Sequence, residues 1–184
     1  MEEQLLEAPY PELDDLLTLM GKAGERLSEI DACEGSAGNI SICFRWPVEP
    51  RSRFPLVEQV ELPQLVPELA GTTFLITGSG RRLREIIDDP PANLGCLVVD
   101  KGGRTGKLYT SYQRRFTHLT SEFNSHLAVH YDQMTTSSTS IPPASHIQKP
   151  PTASPSRTGT QPSASSGLTT ASPVARSENI LVVY

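Results

Sequence analysis

At 184 residues the chain has room for one ordinary domain. A formal net charge of -5 excludes nucleic acid as a partner, because a phosphate backbone demands a basic surface. Cys33, Cys43 and Cys96 form no Cys-x-x-Cys pair and are too few for a disulfide framework, and no apolar run has membrane length, so a cytoplasmic chain without a membrane partner is expected.

In chain order, Pro11 to Ile30 predicts an amphipathic helix, with Leu13, Leu16, Leu17, Met20, Ala23, Leu27 and Ile30 on one stripe. Asn39 to Phe44 alternates polar and apolar side chains, as a half-buried strand does. Prolines 47, 50 and 55 make Trp46 to Pro67 a loop excursion with a short strand near Val57 to Leu62. Thr73 to Thr77 is an apolar strand that ends in the turn Gly78-Ser79-Gly80. Arg82 to Ile87 predicts a turn or two of helix ended by Pro90-Pro91. Leu94 to Asp100 and Lys107 to Tyr112 read as two strands joined through the turn Lys101 to Arg104. Thr120-Ser121-Glu122 opens a helix to about Gln133, whose stripe is Phe123, Leu127, Tyr131 and Met134. Beyond Met134 the chain is dominated by Ser, Thr and Pro, a composition too poor in apolar residues to offset chain entropy. Residues 1–134 are therefore expected to fold as a layered α/β domain, and residues 135–184 to form a disordered tail.

Three loop segments could meet an anion: Ser36-Ala37-Gly38-Asn39-Ile40-Ser41, Thr77-Gly78-Ser79-Gly80 and Thr120-Ser121-Glu122. Small residues and a helix start present backbone amides and hydroxyls to a dianion without requiring a lysine. Taken singly each also suits a plain turn or helix cap. In this order, with Pro91-Ala92-Asn93-Leu94-Gly95 between them and His126 after, they resemble the class II aldolases of the rhamnulose-1-phosphate type. The likeness covers about residues 10–134 and extends more loosely to fuculose-phosphate aldolases, ribulose-phosphate epimerases and adducin heads.

The resemblance implies a class II aldolase-like layered fold whose C-terminal strands are missing here. It implies a lyase that splits L-rhamnulose 1-phosphate into dihydroxyacetone phosphate and L-lactaldehyde, and a homotetramer in intact members. Gly38, Asn39, Ser79, Gly80, Thr120 and Ser121 would hold the substrate phosphate, and Glu122 would be the catalytic base. Ser36 stands where the family has an asparagine, one phosphate contact fewer. Zinc (Zn2+) is implied through a His-x-His pair and a later third histidine. At the place of the pair this chain has His146-Ile147-Gln148 among prolines, so no metal ligand is assigned. A competing set, Glu122, His126 and His130, lies at i, i+4 and i+8 of one helix, where packed or solvated histidines are the simpler expectation. The abrupt change after Met134 predicts a truncated or altered chain, inactive as written. The alternative is a catalytically dead, adducin-like interaction module.

Overall fold

The computed structural model describes residues 9–30, 38–137, 176–177 and 180–183. Helix α1 (Leu13–Glu29) forms where the apolar stripe predicts it and buries Leu13, Leu16, Leu17, Met20 and Leu27. The Asp15 carboxylate accepts the Glu12 N–H at 3.0 Å and closes the first turn. Ile30, expected on the stripe, is instead the C-cap and is 61% exposed.

Five strands follow between α1 and the last helix: β1 (Ser41–Phe44), β2 (Leu56–Glu61), β3 (Thr73–Thr77), β4 (Leu94–Val99) and β5 (Thr105–Thr110). A four-residue helix α2 (Pro90–Asn93) precedes β4, and α3 (Phe123–Ser137) follows β5. Near the C-terminus lie β6 (Arg176–Ser177) and β7 (Ile180–Val183). The described strands make one sheet in the order β2-β5-β4-β3-β1-β7-β6. Every pairing is antiparallel, so the α/β alternation of the sequence becomes helices packed on an antiparallel sheet.

Neighbouring residues of a strand point to opposite faces, and that sets up two cores. On one face Ile42 and Phe44 of β1, Leu75 of β3 and Cys96 of β4 pack with the α1 stripe. On the other, Cys43, Phe74, Leu97 and Val99 pack with Leu127 and Met134 of α3. Helices α1 and α3 therefore cover opposite faces. Among the described residues no helix is long and apolar enough to cross a membrane.

Two expectations are corrected. The alternation in β1 suggested a half-buried strand, yet all four residues are buried. Its polar side does not meet water because Ser41 faces two histidines of α3. Pro90 and Pro91 do not merely end a helical turn, which is the 3-10 turn Leu83–Glu85. They open α2, where a missing N–H costs nothing, and the Asp89 side chain caps it by accepting the Ala92 N–H at 3.2 Å. The sheet was expected to lack its C-terminal strands and residues 135–184 to form a disordered tail; the outer edge of β1 pairs with β7, Ser41 opposite Val183 and Phe44 opposite Ile180. Helix α3 also continues past the expected boundary at Met134 to Ser137. Residues 138–175, which hold most of the expected tail and His146, lie outside the described residues.

Candidate phosphate-binding site

The three sequence segments come together at one end of the sheet. The Thr77 N–H donates to the Ile40 carbonyl at 3.2 Å, and the Ile40 N–H donates to Thr77 Oγ1 at 3.2 Å. These bonds tie the start of β1 to the end of β3. The Thr120 N–H donates to the Thr77 carbonyl at 3.0 Å and the Ser79 N–H to the His118 carbonyl at 2.8 Å. An isolated bridge between Gly78 and Leu119 completes the zipper. Gly78 is required there, because a methyl group on it would lie 2.1 Å from Phe116 Cγ. Gly80 carries the turn at φ 70°, a left-handed conformation that a side chain disfavours.

The Pro-Ala-Asn-Leu-Gly segment braces this turn from below. The Asn93 carboxamide donates to the Glu85 and Asp89 carbonyls at 3.0 and 2.8 Å, and its own backbone carbonyl accepts the Gly78 N–H at 2.9 Å. Asn93 is fully buried, whereas Ser79, Gly80, Ser121 and Glu122 are exposed and Gly38 and Asn39 half-buried. Thr120 is buried and acts as a cap: its hydroxyl accepts the Glu122 N–H at 3.2 Å and its carbonyl accepts the Phe123 N–H at 3.0 Å. The Ser125 hydroxyl donates to the Glu122 carboxylate at 3.4 Å. Ser36 lies outside the described residues.

Behind the exposed rim is a polar group in which Asn39, His126 and His130, each noted in the sequence for a different role, meet around Ser41. Ser41 Oγ lies 2.8 Å from His126 Nδ1 and 2.7 Å from His130 Nε2. His126 Nε2 meets Asn39 Oδ1. Desolvation pushes His126 down to about 4 and His130 to about 3, the latter helped by repulsion from His126, so both rings are neutral near pH 7. Ser41 is invisible as a hub in the sequence, since its partners are 85 and 89 residues away. The only sequence signal is a serine amid an apolar strand and histidines one helical turn apart.

This arrangement does not fit zinc. Both nitrogens of His126 and one of His130 are engaged in hydrogen bonds, and both rings are buried while Glu122 points outward. Among the described residues no group of three or more His, Cys, Asp or Glu side chains is placed to hold a metal ion. The free thiols Cys43 and Cys96 are buried, and desolvation raises both far above the ordinary thiol value, which disqualifies them as nucleophiles. A cleft of about 590 Å³ at the start of α1, lined by Tyr10, Trp46 and Arg53, contains none of the residues predicted for the site.

No family model matches the chain. It is 35% identical over 100 residues to the rhamnulose-1-phosphate aldolases of Yersinia pestis (strain Pestoides F) and Yersinia pseudotuberculosis (strain IP 31758), which covers 51% of this chain and 36% of each relative. The N-terminal part of the chain is related to the class II aldolases. A Salmonella typhi protein provisionally named a rhamnulose-1-phosphate aldolase is 48% identical over 44 residues, 24% of this chain and 16% of that one. The crystal structure of a sugar-phosphate aldolase from Thermotoga maritima matches at TM-score 0.53 and 23% identity, over 68% of this chain and 50% of that chain, and shows the aldolase fold alone. The chain spans about a third or less of the length of the curated aldolases it matches.

Proposed function

We propose that this chain carries the phosphate-binding part of an aldolase site of the rhamnulose-1-phosphate type, with a ketose 1-phosphate or dihydroxyacetone phosphate as its ligand. The observation that carries the reading is the hydrogen-bonded union of the Ile40, Thr77 to Ser79 and His118 to Thr120 backbones, which gathers Asn39, Ser79, Gly80, Thr120 and Ser121 at one sheet end. Hydroxyls, loop amides and the start of α3 are donors suited to a dianion. Glu122, exposed beside them, is the group proposed to move the proton at the carbon that is broken or joined.

The family's zinc would polarise the ketone, but among the described residues no set of ligands is placed to hold it and the histidines of α3 are committed elsewhere, so no catalytic step is assigned through it here. We accordingly expect the chain as written to be inactive as an aldolase. The test is retro-aldol turnover of rhamnulose 1-phosphate with added zinc, for this chain and for Glu122→Ala. Turnover should stay far below that of an intact aldolase in both. Robust zinc-dependent turnover that vanishes in Glu122→Ala would overturn the inactivity and point to ligands among residues judged unsuited.

A further inference from the structure

We propose that Ser41, His126 and His130 form a one-directional hydrogen-bond chain that fixes the Asn39 carboxamide with its NH2 group turned toward the phosphate loops. The proposal rests on the phosphate-binding reading above. It follows from counting protons along the contacts. Asn39 Oδ1 faces His126 Nε2, and a carbonyl oxygen can only accept, so Nε2 carries the hydrogen. A neutral ring then leaves Nδ1 bare, and it accepts the Ser41 hydroxyl proton across 2.8 Å. That hydroxyl has no second proton. His130 Nε2, 2.7 Å from the same oxygen, must therefore donate to it. His130 Nδ1 is left as a bare lone pair, and among the described residues this buried atom indeed has no hydrogen-bond partner.

The opposite direction is worse on two counts. It would strand an N–H of His130 in the core, and orphaned buried donors are rarer than under-used acceptors. It would also turn the Asn39 oxygen toward the anion, where an acceptor repels. The ring of His130 stands edge-on to Phe74, with centroids 5.2 Å apart, a favourable aromatic geometry beside the Ser41 contact. Ser41, His126 and His130 are thus positioning residues that act through Asn39.

The test is imidazole nitrogen NMR on the full chain near pH 7, combined with titration by inorganic phosphate. Both histidines should read as the Nε2–H tautomer. Ser41→Ala should let His126 exchange between tautomers and weaken phosphate binding roughly three- to tenfold, the loss of one positioning hydrogen bond. Ser41→Thr, which keeps the hydroxyl, should restore both. An Nδ1–H tautomer at His126 in a chain that binds phosphate overturns the relay alone. Unchanged phosphate affinity in a folded Ser41→Ala chain also overturns it. A wild-type chain that binds no phosphate sinks the phosphate reading itself and with it the purpose given to Asn39. Should Ser41→Ala fail to fold, the wild-type tautomers decide by themselves.

Discussion

His126 and His130 are the residues whose protonation below neutral pH the fold changes. Each leaves water for a pocket behind β1, and each loses proton affinity because the charged ring is poorly solvated there. In the unfolded chain a histidine takes a proton near pH 6.5 (about the free value). The facing groups, Ser41 and Asn39 on the β1 side and Phe74 on β3, do not titrate in this range. The folded values are depressed, so this contribution to stability is complete above the unfolded value. It is lost as pH falls from there through about 4 and then about 3. The slope between is up to roughly 1.4 kcal/mol per pH unit for each ring. Urea midpoints measured from pH 7 to pH 4 should drop steeply for the wild type and less for His130→Gln. Parallel curves would mean that His130 is not the buried neutral ring described here.

Among the elements, α1 was readable because its stripe is local: seven apolar positions at helical spacing need no knowledge of what they pack on. The β4–β5 hairpin was readable for the same reason, although the returning strand begins at Thr105 rather than Lys107. Strand β1 was placed but misjudged, since alternation reports two unlike faces and does not say that the polar one is wet. The three candidate phosphate-binding loops were legible as weak turn signals whose meeting depends on bonds between Ile40, Thr77, Ser79, His118 and Thr120. The partner of strand β7 was not legible, because four apolar residues behind a Ser/Thr/Pro-rich stretch carry no information about a strand far away in sequence. Its pairing gives it a testable role. An uncovered strand edge is a template for association, so deleting residues 176–184 should expose β1 and produce concentration-dependent self-association in light scattering. A truncated chain that stays monodisperse at the wild-type stability would show that β7 does not protect that edge.

For the whole molecule, the sheet supports two different surfaces at once. One core joins α1 to it, the other joins α3, and the shared end of β1, β3 and the approach to α3 carries the polar rim. The chain places its three small-residue turns together, while the imidazoles that lie closest are spent on Ser41 and Asn39. We propose that phosphate binding and metal chemistry are separable in this molecule, and the account stands or falls on that separation. The measurement that tests it most directly is a calorimetric titration of the full chain with dihydroxyacetone phosphate, run once with a chelator and once with added zinc. Ser79→Asp should be titrated in parallel. The account predicts the same weak binding with and without zinc, and a loss of roughly tenfold or more in Ser79→Asp, where a like charge repels the dianion. Binding that appears only with zinc, or binding that Ser79→Asp leaves untouched, would contradict it.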